Sequence, residues 1–124
     1  MENIRELTKA EEQVMKALWQ IGKGSIKEIA DLMSDPKPAY TTIATQLKVL
    51  KTKGFVTYEI NGSAYNYIPL VVEKDYRKFA FDKVFSGYFG NSYQRLLSFL
   101  VEEKTSDPVT QLKLRELAEK LKDQ

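Results

Sequence analysis

Apolar positions along the 124 residues recur first at helical spacing in three short stretches, then at strand spacing in two, then at helical spacing again. Ala10, Val14, Leu18 and Ile21 share one helical face behind Thr8 and Glu11, whose separation predicts a capping box, and Gly22 predicts the stop. Trp19 is expected at the edge of that face. Ser25 and Glu28 repeat the box ahead of a shorter helix with Ile26, Ile29, Ala30 and Met33 inward, broken by Asp35-Pro36-Lys37-Pro38. A third helix begins near Ala39 or Tyr40 and runs to Lys53, with Ile43, Leu47 and Leu50 as its core stripe and Gly54 as its end.

Phe55 to Ile60 and Ala64 to Ile68 are rich in β-branched and aromatic residues and read as a hairpin. Asn61-Gly62 suits a type I′ turn, and Gly62-Ser63 is the other two-residue loop that fits. In both registers Val56, Tyr58 and Ile60 share a face with Tyr65 and Tyr67, and that face is expected to pack down. Thr57, Glu59, Ala64 and Asn66 take the other face, and Pro69 limits further pairing.

Beyond Leu70 the spacing predicts helices near Val72 to Ser86, Ser92 to Lys104 and Pro108 to Lys122, with Gly87 to Asn91 as a loop and Asp107-Pro108 as a helix start. Most of the aromatics lie in this tail, more than it can bury by itself, so a second subunit is the natural cover. The expected architecture is mainly α with a small β-hairpin. A winged helix-turn-helix over residues 1–70 is followed by a helical dimerisation region over residues 71–124.

A net charge of +2 is too small to name a partner, but its distribution is uneven. Between Pro36 and Tyr58 stand four lysines and no acid. The absence of cysteine and histidine removes disulfides, thiolate metal sites and the usual neutral-pH proton shuttle. Carboxylate neighbours such as Glu11-Glu12 and Glu102-Glu103 diverge on a helix and make no acid/base pair. No phosphate loop, metal-ligand spacing or nucleophile elbow is present. The expectation is a non-enzymatic protein without cofactor, metal or catalytic residue. A charged N-terminus and no long apolar run predict no membrane insertion and a cytoplasmic location.

The polar face of the third helix is therefore the candidate chemistry. Tyr40, Thr41, Thr42, Thr45 and Gln46 lie near its N-terminal half, the end that approaches bases in helix-turn-helix proteins, where hydroxyl and amide groups can meet base edges. Lys48, Lys51 and Lys53 follow, and Lys37 precedes in the turn; these are candidates for phosphate contact. At the hairpin tip Asn61 and Ser63 offer small polar groups. A solvated helix face with dipole-complementing lysines is the plainer alternative for any one of these features. Tyr65 and Tyr67 on a shared face suit either a stacking platform for single strands or, more simply, core packing.

The stretches Leu7-Thr8-Lys9-Ala10-Glu11 through Val14-Met15 to Leu18-Trp19, Tyr40-Thr41-Thr42-Ile43-Ala44-Thr45 with Leu47, Leu50 and Lys53-Gly54, and Ala64-Tyr65 to Tyr67 and Pro69 resemble, in this order and spacing, the penicillinase and methicillin-resistance repressor family. That family of bacterial winged-helix regulators also includes copper-responsive repressors, and the resemblance spans nearly the whole chain. It implies a homodimer that represses transcription by occupying a double-stranded promoter operator of two half-sites, in genes of antibiotic resistance or stress. The C-terminal helices would interlock the subunits, with Tyr76, Phe79, Phe81, Val84, Phe85, Tyr88, Leu96, Leu97, Leu100, Leu117 and Leu121 as the apolar candidates.

In the antibiotic-responsive branch a membrane-bound sensor protease is the signalling partner, and cleavage falls at an Asn-Phe pair where this chain has Ser98-Phe99, the candidate cleavage position. The copper branch senses metal through cysteines, a route this chain lacks. Many members carry Arg where Val49 stands and a basic wing tip where Asn61-Gly62-Ser63 stands. Three or four ionic contacts per subunit would give about six to eight per dimer and a salt slope of roughly −5 to −7. A winged-helix protein-interaction module is the competing class; the acid-free Lys/Thr surface suits phosphates better than a protein partner.

Overall fold

The computed structural model describes residues 4–104 and 107–122. The elements run α1 (Lys9–Ile21), α2 (Ile26–Asp31), α3 (Tyr40–Thr52), β1 (Val56–Asn61), β2 (Ala64–Pro69), α4 (Glu73–Phe89), α5 (Tyr93–Phe99), a π-helical turn (Leu100–Lys104) and α6 (Pro108–Lys122). They gather into two compact units, Met1–Phe79 and Ala80–Gln124. The mainly helical chain with its hairpin after three helices is a winged helix, as the spacing predicts.

Both capping boxes form. Thr8 Oγ1 accepts from the Glu11 amide at 3.2 Å while Glu11 Oε1 accepts from the Thr8 amide at 3.0 Å, and Ser25 and Glu28 do the same for α2. Met15, Leu18, Ile29, Ile43, Leu47, Leu50 and Phe55 are all 0% exposed and make the core of the first unit. Each such side chain contributes about 1.5–3 kcal/mol by leaving water. Ala10, expected inward, is exposed; the inward position is taken by Glu11, the sole buried charged residue among those described, because its carboxylate has a cationic partner there.

The hairpin pairs Val56 with Pro69, Tyr58 with Tyr67, Ile60 with Tyr65 and Asn61 with Ala64, so the loop is Gly62-Ser63. Gly62 has φ +64° and Asn61 is not in the left-handed region, so a type II′ turn replaces the type I′ turn expected at Asn61-Gly62. Gly24 and Tyr67 exchange backbone hydrogen bonds of 3.1 and 2.7 Å, fastening the turn before α2 to β2. A Cβ on Gly24 would meet the tip of the Ile21 side chain, Cδ1, which would have to shift to admit it.

The shared face of the hairpin is as expected, but only its base packs down. Val56 is 1% exposed, whereas Tyr58, Ile60 and Tyr65 are exposed, because the strands project beyond the helices that bury their first residues.

In α4, Gly87 and Tyr88 are helical rather than looped. A glycine inside a helix costs only about 1 kcal/mol. The left-handed turn waits for Gly90 and Asn91, at φ 55° and 58°. Tyr76, expected on a dimer surface, is instead 5% exposed inside the first unit. Its hydroxyl accepts from the Leu7 amide at 2.9 Å, and its ring meets Phe55 edge-on at 5.6 Å and Trp19 at 6.1 Å. Trp19 Nε1 in turn donates to the Val71 carbonyl at 2.8 Å. The first unit thus takes in the opening turns of α4, past the boundary expected at residue 70.

In the second unit Phe85 stacks on Phe81 at 5.1 Å and meets Tyr93 at 4.8 Å, and Phe89 meets Phe99 edge-on at 5.4 Å. Asp107 caps α6 by accepting from the Thr110 amide at 3.0 Å.

Candidate nucleic-acid interface

Helix α3 buries Ile43, Leu47 and Leu50 and turns Thr41, Thr42, Thr45, Lys48, Lys51 and Thr52 outward. Thr41, Thr45, Lys48 and Thr52 lie three and four residues apart and so form one exposed stripe. Tyr40 is exposed at the start of the helix, and Gln46 is half-buried at the edge of the stripe. Thr45 Oγ1 donates to the Thr41 carbonyl at 3.0 Å. Its proton is therefore committed within the helix, leaving the hydroxyl lone pairs and the methyl group to meet a ligand.

Two lysines expected on this surface serve the fold. Lys53 Nζ lies 2.6 Å from Glu11 Oε1 with side-chain exposures of 15% and 7%, and it also donates to the Glu6 carbonyl at 3.2 Å. Burial alone would raise the Glu11 pKa, but the Lys53 ammonium and the Thr8 donors outweigh it and hold the carboxyl below its ordinary range. Lys37 Nζ donates to the carbonyls of Ala30, Asp31 and Met33 at 3.3, 3.2 and 2.7 Å, closing the C-terminal end of α2. Lys48 and Lys51 remain outward on α3.

Lys51 Nζ sits 5.8 Å from the centre of the Tyr58 ring. Tyr58, Tyr65 and Tyr67 cluster with ring centres 4.8, 5.7 and 6.4 Å apart. A groove of about 440 Å³ runs between helix and wing, lined by Ala44, Leu47, Lys48, Lys51, Thr52, Tyr58 and Tyr67. Burial first, then the neighbouring Tyr58 and Tyr65, push the Tyr67 hydroxyl above its ordinary range, so it keeps its proton at neutral pH. The groove is invisible to helical or strand periodicity because it joins two elements; the run of tyrosines on one hairpin face was its only sequence signal.

Asn61 and Ser63 are exposed at the wing tip, and Glu59 on the opposite hairpin face is held by Lys23 at 2.7 Å. The Lys23 hydrogen bond and charge lower the Glu59 pKa.

Among the apolar tail candidates, Phe81, Val84, Tyr88 and Leu117 are exposed, Phe79, Leu96, Leu97 and Leu100 are half-buried, and Phe85 is buried within the chain. Tyr93, Val109 and Leu112 are also exposed and were not singled out from sequence. The side chain of Leu121 lies outside the described residues. Ser98 and Phe99 close α5 and are half-buried. No helix among the described residues is long and apolar enough to cross a membrane.

A sequence profile described as "Penicillinase repressor" matches residues 7–123. An uncharacterized 16.5 kDa protein in the ptsI 3′ region of Latilactobacillus sakei is 30% identical over 118 residues, covering 94% of this chain and 80% of that relative.

Proposed function

The chain belongs to the penicillinase repressor family, DNA-binding transcriptional regulators, and from that premise we propose that it is a dimeric, operator-specific repressor. The observation that carries the reading is the exposed, acid-free face of α3 with Thr41, Thr42, Thr45, Lys48 and Lys51. A helix of this width fits the major groove, where threonine oxygens and methyl groups meet base edges and thymine methyls, and ammonium groups meet phosphates. With its proton held by Thr41, Thr45 reads as an acceptor or through its methyl. Two copies joined through the exposed apolar side chains of the tail would set α3 on two half-sites, and occupancy would block transcription.

Because Lys53 and Lys37 serve the fold, Lys48 and Lys51 are the ionic contacts of each reading helix. A dimer then makes about four, and affinity falls with salt along a log-log slope of about −4. Duplexes selected by the protein in vitro, titrated at several salt concentrations, test this. Binding indifferent to salt, or no selected sequence at all, rejects the reading. Sequencing what adjoins the gene, and asking whether a membrane protease gene is there, narrows the inducing signal.

A further inference from the structure

The groove between α3 and the wing has one cationic wall, one tyrosine wall and no carboxylate among its lining residues. Lys48 and Lys51 approach it from the helix, Tyr58 and Tyr67 from the hairpin. The Tyr58 face restrains the Lys51 ammonium, 5.8 Å from the ring centre. Every buried side-chain polar atom described has a partner. Tyr76 meets that demand through its hydroxyl, whereas no hydrogen bond among the described residues engages the hydroxyl of Tyr58 or Tyr67. The wing tip itself, Asn61-Gly62-Ser63, carries no charge.

We infer that this groove seats one sugar-phosphate strand of duplex DNA, with Lys48 and Lys51 paired to the phosphodiester and the Tyr58 and Tyr67 hydroxyls donating to its oxygens. The inference rests on the reading that α3 enters the major groove. That groove is about 12 Å wide and is bordered by phosphate strands on both sides. Whatever flanks the helix therefore meets a strand, and the element flanking α3 is the tyrosine face of the wing. The occupant is anionic and narrow and presents apolar sugar faces between charged phosphates, which matches a trough of ammonium groups, hydroxyls and aromatic rings. A tyrosine hydroxyl on a phosphate oxygen makes a charge-assisted hydrogen bond without adding charge. The wing thereby holds the backbone although its tip is neutral.

The test uses the full-length protein on mixed-sequence duplex DNA. Tyr58→Phe with Tyr67→Phe keeps the rings and is expected to weaken binding about tenfold on every sequence, with the salt slope unchanged because no charge is lost. Lys48→Gln, which removes one contact from each subunit of the dimer, lowers the slope by about two. Phosphate-ethylation interference on a selected duplex is expected to mark a backbone position that matters to wild type and not to the double-Phe variant. Should the double variant melt early in circular dichroism, Tyr58→Phe alone carries the test, since that ring is exposed.

Wild-type affinity in the Phe variants, or an unchanged ethylation pattern, overturns the inference while leaving the repressor reading intact. Failure of the wild type to bind any duplex overturns both. Saturable binding of inorganic pyrophosphate to the groove that leaves duplex binding undisturbed would assign it to a free anion and overturn the inference as well.

Discussion

The two compact units close their apolar surface to different degrees. In the first, seven large side chains reach 0% exposure, from Met15 to Phe55. In the second, Phe85 and Val101 are the buried apolar side chains among those described, while Phe81, Val84, Tyr88, Tyr93, Val109, Leu112 and Leu117 remain exposed. The difference is one of geometry. Three crossing helices and the base of a hairpin surround a centre from several sides, and a buried ion pair finishes the wall. A run of helices with apolar residues on more than one face has no such enclosure. An apolar surface of this extent is what a partner covers, in keeping with the proposed dimer.

The largest effect expected from breaking this contrast is on the first unit. Phe55→Ala removes a fully buried ring that contacts Tyr76 and is expected to cost about 4 kcal/mol in urea unfolding. A loss below about 1 kcal/mol would mean that the first unit is as loosely closed as the second.

Next comes the clamp between α1 and α3. Lys53→Met leaves the Glu11 carboxylate buried and unpaired, at about 3 kcal/mol. The sign of the pH dependence follows from the lowered Glu11 pKa. Its contribution to stability is present above the unfolded-state value and is lost as pH falls through the folded-state one. Melting temperatures measured across the acid range should therefore fall less steeply in Glu11→Gln than in wild type; parallel curves would take Glu11 out of the acid response.

On the second unit the expectation reverses. Phe81→Ser with Tyr88→Ser, both exposed, should alter the helicity of the chain little and weaken self-association by about 2 kcal/mol, read from sedimentation at several concentrations. Unchanged association would move the subunit contact elsewhere.

The smallest change is on the reading surface. Thr45→Ala should cost about 1 kcal/mol on the preferred duplex and nothing on others, whereas Lys51→Ala should weaken binding to all. Equal losses on every duplex would remove Thr45 from base reading.

The same contrast explains what could be read from sequence. Thr8 with Glu11, Ser25 with Glu28 and Asp107 with Pro108 are local signals, resolved within one helical turn, so the helices they open were legible to the residue or nearly so. The hairpin face was legible because alternation is local too. Partners were not. Tyr76 was readable as an apolar position and was assigned to the subunit contact, since its actual neighbours Leu7, Trp19 and Phe55 come from distant parts of the chain. Lys53 has the composition of a phosphate contact, and only the crossing of α1 over α3 brings it to Glu11. Lys37 likewise looks free in sequence and is spent on carbonyls. The Lys-Tyr groove needed the angle between helix and wing, which no periodicity encodes.

A single oxygen, Glu11 Oε1, accepts from the amide that begins α1 and from the lysine that follows α3. The residues that set the pose of α3 are thus Ile43, Leu47, Leu50 and Lys53, a set sharing no member with Thr41, Thr45, Lys48 and Thr52 on its outer stripe. Drift in the outer set can exchange one target sequence for another without disturbing the pose, so new regulatory wiring is accessible to this helix by single substitutions that the fold does not register.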